Sequence, residues 1–311
     1  MLNIKKILFP TDFSDCSKQA LRHAIKIAQE HGSELHLLHA IVLHDDDPHD
    51  PAHHLPDPSR IRGILEELAT ERMTALVRDH DIPDLVVKQI HVRDVSPAPA
   101  IVRYAQEESI DLIVMGTHGR RGVRKLLLGS VAAEVVRLAP CSIMTVRGKG
   151  KRMGVHDISR ILVPVDFSDP GRETLPIART LASTYGAELQ LVHVLSELLH
   201  PAFYNMGVTR ISDLEHDILG RTESALRELL PETDDGHGAA WAPAEVHALE
   251  GHPGHEIIRF SRDHDCDLIV MATHGFTGMK HLLLGSTAEK VLAGADCPVL
   301  VVKASGRSLL P

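Results

Sequence analysis

Short apolar runs alternate with amphipathic stretches along this chain, and the whole alternation is played twice. The first run, Ile4 to Pro10, closes in Pro10-Thr11-Asp12-Phe13-Ser14 and reads as a buried strand with Ser14 as the N-cap of a following helix. Ala20, Leu21, Ala24, Ile25, Ile27 and Ala28 then fall at helical spacing, and Gly32 stops the helix. Strand patterns follow at Glu34 to Ala40, near 85–92 and at Asp111 to Met115, with helical patterns at 59–80 and 97–108 between them. A helix starting at Ser130 and an apolar strand, Ser142 to Val146, close the first half. The second half repeats the order. Its strands are 160–165, Glu188 to Val194, 244–249, Asp267 to Met271 and Pro298 to Val302. Its helices start after Ser168, run over 209–230 and 253–264, and begin again at Ser286, with Gly186 as the first stop.

Strands alternating with helices imply right-handed crossovers and a parallel sheet covered on both faces. The expected architecture is α/β: two similar doubly wound five-stranded parallel-sheet domains, Rossmann-like in character. Residues 1–147 make the first domain, 148–158 a linker and 159–305 the second, which suits 311 residues. In such sheets ligands sit beyond the carboxyl ends of the strands where the strand order reverses, here between strands one and four. The Asp12 turn and the loop after Met115 both fall there. The linker contains Gly148-Lys149-Gly150, but a strand rather than a helix follows, so it is not a dinucleotide loop.

Composition narrows the function classes. An aromatic fraction of 3% within 43% hydrophobic residues means cores of Leu, Ile, Val and Ala. A net charge of −9 supplies no basic face for nucleic acid, although a few backbone N–H groups can still hold a phosphate. The four cysteines form no CxxC pair, and Cys141 and Cys297 stand at equivalent places before closing strands, which points to buried thiols. The first residues lack a signal-peptide apolar segment, and no apolar run reaches the ~18 residues of a membrane span. The expectation is a soluble cytoplasmic protein without a membrane partner.

The candidate chemistry lies in a repeated loop. Met115-Gly-Thr-His-Gly-Arg-Arg-Gly-Val-Arg-Lys-Leu-Leu-Leu-Gly-Ser130 returns as Met271-Ala-Thr-His-Gly-Phe-Thr-Gly-Met-Lys-His-Leu-Leu-Leu-Gly-Ser286. Gly116 and Gly119 let the backbone approach a ligand closely. Gly129 and Ser130 open a helix whose first N–H groups favour an anion, with Ser130 both capping the helix and offering a hydroxyl. Arg120 and Arg121 add positive charge. The bland alternative is a loop followed by an ordinary cap.

The pattern G-x2-G-x9-G-S after a strand ending Ile-Val-Met resembles the ATP-binding signature of the universal stress protein A family, and it does so over nearly the whole chain. Pro10-Thr11-Asp12, the His39 strand and the closing Pro-Val-Leu-Val-Val fit as well. The resemblance implies an adenine nucleotide alpha hydrolase-like fold and an ATP site, with Mg left open. Pro10, Thr11, Asp12 and Ala40 would line the adenine and ribose end. Met115, Gly116, His118, Gly119, Arg120, Gly129, Ser130, Val131 and Ala132 would follow the ribose and phosphates. The corresponding second set is Pro164, Val165, Asp166, Val194, Met271, Ala272, Gly275, Gly285, Ser286 and Thr287. There Ala272 replaces the first glycine and Val165 replaces Thr11, so nucleotide binding by the second half stays open. The resemblance also implies an intramolecular pseudo-dimer through the closing strands and leaves further homodimerisation open.

Other residues invite chemistry. Asp12 and Asp166 have no partner carboxylate or base at a recognisable spacing, so ribose binding or an Asx turn fits them better than catalysis. His118 and His274 are either phosphate partners or plain loop histidines. His44-Asp-Asp-Asp-Pro-His-Asp-Pro-Ala-His-His54 carries metal-type ligands in a proline-rich loop that has no counterpart in the second half. No GxxxxGK[ST] loop, HExxH or G-x-S-x-G elbow is present. The expected function is a nucleotide-binding stress-response module and not an enzyme. A slow ATPase or phosphotransferase and a nucleotide-free scaffold are the rivals.

Overall fold

A computed structural model describes residues 2–42, 58–80, 85–94, 96–118, 128–147, 158–196, 211–230, 243–273, 284–303 and 307–310. The chain forms two compact units, one of Asn3–Gly148 and one of Lys149–Pro311 with Met1–Leu2. Among the described residues the first unit contains β1 (Lys6–Pro10), α1 (Asp15–His31), β2 (Glu34–Val42), α2 (Pro58–Asp79), β3 (Val87–Asp94), α3 (Pro97–Glu107), β4 (Leu112–Gly116), α4 (Ser130–Leu138) and β5 (Ser142–Val146). The second contains β6 (Arg160–Pro164), α5 (Asp169–Tyr185), β7 (Glu188–Ser196), α6 (Ile218–Arg227), β8 (Ala244–Gly251), α7 (Pro253–Asp263), β9 (Leu268–Ala272), α8 (Ser286–Gly294) and β10 (Val299–Val302).

Within the first unit the strand order is β3-β2-β1-β4-β5, and within the second it is β8-β7-β6-β9-β10. Every pairing inside a unit is parallel. The two halves therefore share one doubly wound α/β topology. Its order reverses between β1 and β4, and between β6 and β9, which opens a crevice at their carboxyl ends.

Local chemistry explains the elements. The Ser14 hydroxyl accepts from the Ser17 N–H to cap α1, and Ser168 accepts from Gly171 N–H to cap α5. Gly32 and Gly186 end these helices in the left-handed conformation, at φ 63° and 64°. Ile7, Leu8 and Phe9 of β1 and Leu112, Ile113 and Val114 of β4 are buried, as a sheet covered on both faces requires. At the end of the sheet away from the crevice, Asp111 accepts from the N–H groups of Lys5 and Lys6 at 2.8 and 2.9 Å. Asp267 does the same for Ser159 and Arg160, at 3.0 and 3.1 Å. These carboxylates pin the start of the first strand to the start of the fourth in each unit.

One expected helix is shorter than its pattern. Instead of running over 209–230, the described residues there form a 3-10 turn, Ile211–Asp213, followed by α6. Glu250 of β8 holds the turn out of helical register by accepting from Ser212 N–H at 2.8 Å and Ser212 Oγ at 2.6 Å. Cys141, Cys266 and Cys297 are buried cysteines outside any disulfide, and Cys16, likewise not in a disulfide, is half-buried. Among the described residues no helix is long and apolar enough to cross a membrane.

Candidate functional site

In the first unit, two turns meet at the crevice. Thr11 follows β1 and is buried, and its N–H donates to Leu38 O at 2.8 Å, which extends the sheet by one residue. Its hydroxyl lies 2.8 Å from Ser17 Oγ on α1 and accepts from Phe13 N–H at 3.0 Å. Asp12 accepts from Ser14 N–H at 3.0 Å, which is an Asx turn leading into the cap. Phe13 is forced to φ 63°, a region that non-glycine residues rarely enter. Its ring is held by His39 of β2, with centroids 4.6 Å apart, and Arg72 of α2 lies 5.7 Å from it. His39 Nδ1 is 2.8 Å from Thr11 O, and since a carbonyl only accepts, that nitrogen carries the proton.

The second turn leaves β4. Gly116 lies against the first turn of α1: a Cβ there would stand 2.9 Å from Cys16 Sγ and 3.2 Å from the Cys16 and Ser17 backbone. Cys16 Sγ donates to Val146 O at 3.3 Å, which ties α1 to the end of β5. Thr117 N–H donates to Val146 O at 3.0 Å, and Gly129 N–H donates to Thr117 O at 2.9 Å. The two ends of the glycine loop are thus clamped together, and α4 begins where the clamp closes. Gly129 is the N-cap; Ser130 is not, but stands exposed at the first helical position. The reason is steric, because a Cβ at residue 129 would lie 2.7 Å from Thr117 O. The N–H groups of Ser130, Val131 and Ala132 belong to the first turn and have no acceptor within the helix. His118 Nδ1 is 2.9 Å from Thr117 Oγ1, while its buried Nε2 has no hydrogen-bond partner among the described residues.

The structure therefore brings Thr11, Asp12, Gly116, His118, Gly129 and Ser130 to one end of one sheet. Pro10 and Met115 are buried beneath them, and Ala40 is half-buried near the end of β2. Gly119, Arg120, Arg121, Gly275, His274, residues 148–157 of the linker and the His44–His54 segment lie outside the described residues. Among the described residues no cluster of three His, Cys, Asp or Glu could hold a metal. Two contributors went unread in the sequence, Phe13 and His39 acting as a pair. Their signal was available, since Phe167 and His193 stand at the same places in the second copy.

A sequence profile of the Universal stress protein family matches residues 3–147 and again 158–303. The chain belongs to the universal stress protein family. It is 36% identical to Universal stress protein MJ0531 of Methanocaldococcus jannaschii over 145 residues, 46% of this chain and 82% of that protein. It is 30% identical to MJ0577 of the same organism over 156 residues, 47% of this chain and 96% of that one. A solved universal stress protein from Archaeoglobus fulgidus shares the fold at TM-score 0.66 and 22% identity, covering 96% of both chains.

As a tandem member of that family, the chain builds its second copy from the same parts with three linked exchanges. Phe167 at φ 60° packs on His193 at 4.8 Å, and His193 Nδ1 lies 2.7 Å from Val165 O. Gly285 N–H donates to Thr273 O at 3.0 Å, so this loop is clamped as well, and Gly285 caps α8, which starts at Ser286 as its pattern predicts. Thr287 follows in the first turn. Pro164 and Asp166 are half-buried, and Val165, Val194 and Met271 are buried. The exchanges are Val165 for Thr11, Gly171 for Ser17 and Ala272 for Gly116. The hydroxyl pair of the first copy loses both members at once. The position of Gly116 faces α1 in the first unit, so the extra methyl of Ala272 answers a change in the helix, Cys16-Ser17 to Pro170-Gly171, and is not a simple obstruction to a phosphate.

Proposed function

We propose that this chain is a cytoplasmic stress-response module that binds ATP, through at least its first unit, without efficient turnover. The observation that carries the reading is the clamp Gly129 N–H to Thr117 O, which presents the α4 N-terminus beside the spare Nε2 of His118 at the strand-order reversal. A helix N-terminus favours negative charge, and an imidazole nitrogen already buried without a partner gains from meeting a phosphate or hydroxyl. Asp12 would receive the ribose hydroxyls, Thr11 and Ala40 would border the base, and Mg²⁺ would enter with the phosphates. An intramolecular pairing of the two halves belongs to the same proposal, and copurification of residues 3–147 with residues 158–303 expressed as a separate chain tests it.

The binding test is calorimetry with ATP on the full chain and on Gly119→Val, accompanied by a phosphate-release assay. The wild type is expected to bind ATP and release little phosphate. The variant should keep its circular dichroism and lose at least about tenfold in affinity, the equivalent of ~1.4 kcal/mol. A folded Gly119→Val protein with undiminished affinity would refute the site, and steady turnover would replace the binder by the enzyme.

A further inference from the structure

The aspartate after the first strand is held differently in the two units. In the second, Asp166 Oδ1 accepts from Ser168 Oγ at 2.5 Å and from Ser168 N–H at 3.1 Å, while Ser168 Oγ accepts from Gly171 N–H at 3.2 Å. The carboxylate oxygen is folded back onto the first turn of α5. It can lie there only because residue 171 is glycine: a Cβ on Gly171 would be 2.5 Å from Asp166 Oδ1 and 3.3 Å from Ser168 Oγ. A separation that short does not occur between real atoms of these kinds. In the first unit the matching residue is Ser17, related to its cap in the same way, with its N–H 3.2 Å from Ser14 Oγ. Its Cβ fills the space that Asp166 Oδ1 uses, and its hydroxyl is spent on Thr11. Asp12 Oδ1 accepts from Ser14 N–H at 3.0 Å, the counterpart of the Asp166–Ser168 N–H bond, but the Ser17 Cβ stands where Asp166 Oδ1 packs against its helix turn.

We propose that Gly171, Ser168 and Asp166 form a lock that withdraws the second unit's aspartate from a bound ligand's sugar. This site then takes phosphate-bearing ligands without reading their ribose hydroxyls, whereas the first site reads them through Asp12. The proposal rests on the nucleotide-binding reading given above. To turn towards a ribose diol, Asp166 Oδ1 must give up the Ser168 hydroxyl, so the diol gains less there. Two of the exchanges, Gly171 for Ser17 and Val165 for Thr11, fit together. Loss of the Ser17 side chain opens the space, loss of the Thr11 hydroxyl removes its partner, and the aspartate occupies what is left.

The test uses the full chain carrying Asp12→Ala, so that the first site no longer reads the ribose hydroxyls and any preference belongs to the second, with ATP and 2′,3′-dideoxy-ATP compared by calorimetry. The expected result is no preference between the two ligands. Adding Gly171→Ser evicts the carboxylate and should produce a preference for ATP of about tenfold, the worth of one hydrogen bond to a charged group. Ser168→Ala, which removes the hydroxyl clamp and leaves Gly171 in place, should move the ratio in the same direction. An Asp12→Ala chain that already prefers ATP overturns the lock, as does a folded Gly171→Ser chain with an unchanged ratio. A crystal structure of the wild type with Asp166 turned away from Ser168 overturns it without any ligand. Failure of the wild-type chain to bind ATP at all would instead sink the nucleotide reading, and the crystal structure would still decide the lock.

Discussion

His23 on α1 is a largely buried imidazole whose pKa is pushed down to about 4, first by desolvation and then by the neighbouring Lys26 charge. His36 and His247 are shifted downward too, in each case chiefly by burial. A histidine held neutral by the fold binds its proton more readily when unfolded, so the unfolded state gains as pH falls below 6.5, the ordinary value. Stability is therefore full above pH 6.5 and lost progressively towards pH 4. For His23 alone the slope approaches 1.4 kcal/mol per pH unit, or about 2 kcal/mol between pH 7 and pH 5. Urea unfolding of wild type and His23→Gln at those two pH values checks this, and the variant should lose visibly less on acidification. A wild type equally stable at both would contradict the assignment. Gly129 is the other decisive single residue. Gly129→Ala places a methyl 2.7 Å from Thr117 O, a backbone atom that cannot swing aside. The expected cost is about 1–3 kcal/mol by denaturant midpoint, with weaker ATP binding as the α4 N-terminus backs away.

At the scale of elements, strand ends and helix starts are matched pairs. Gly116 of β4 permits the close approach of Cys16 and Ser17, and Ala272 of β9 stands where the helix carries Pro170 and Gly171. Gly116→Ala should cost about 1–3 kcal/mol, part of it recovered by Cys16→Ala, which removes the sulfur 2.9 Å from the new methyl. Ala272→Gly should cost about 0.5–1 kcal/mol through chain entropy and should not raise ATP affinity. Equilibrium unfolding of the four proteins of the Gly116/Cys16 cycle, plus calorimetry on Ala272→Gly, measures both. Elements of this kind were readable where periodicity and caps agreed, as in α1 between Ser14 and Gly32. Reading failed where a distant group decided the outcome. The 209–230 pattern is interrupted by Glu250, nearly forty residues on, and Ser130 yields the cap to Gly129 because Thr117 O crowds the position. The repeated glycine loop pointed in advance to the strand-end crevice where its two described ends are clamped together. The Phe13–His39 contact did not show, because it depends on which strand lies beside β1, whereas the Asp166–Ser168 contact is local and turns on the glycine at 171.

Across the whole molecule, each unit has its own five-stranded parallel sheet and its own buried apolar centre, Phe9, Leu37 and Ile113 in one and Leu162, Leu191 and Ile269 in the other. A unit of about 150 residues is large enough to bury a self-sufficient core. Residues 3–147 and residues 158–303, the two segments matched by the family profile, should each fold when expressed alone, with cooperative thermal transitions by circular dichroism. Their ligand binding should then differ. The first keeps the Thr11–Ser17 hydroxyl pair and carries Arg120 and Arg121 in its loop, while the second has Val165, Gly171, Phe276 and Thr277 at the matching positions. On the proposed ATP reading, two fewer cations in the loop sequence should weaken attraction for ATP, and salt should reduce the difference to the extent that those arginines face water. The first segment should therefore bind ATP at least about tenfold more tightly at low salt, with the gap narrowing towards 0.5 M salt, where the screening length falls to roughly 4 Å. Calorimetry on the separate segments at two salt concentrations settles it. Equal affinities would mean that neither the arginines nor the hydroxyl pair distinguishes the copies. A gap indifferent to salt would place the difference in the Asp12 and Asp166 turns instead of the loops.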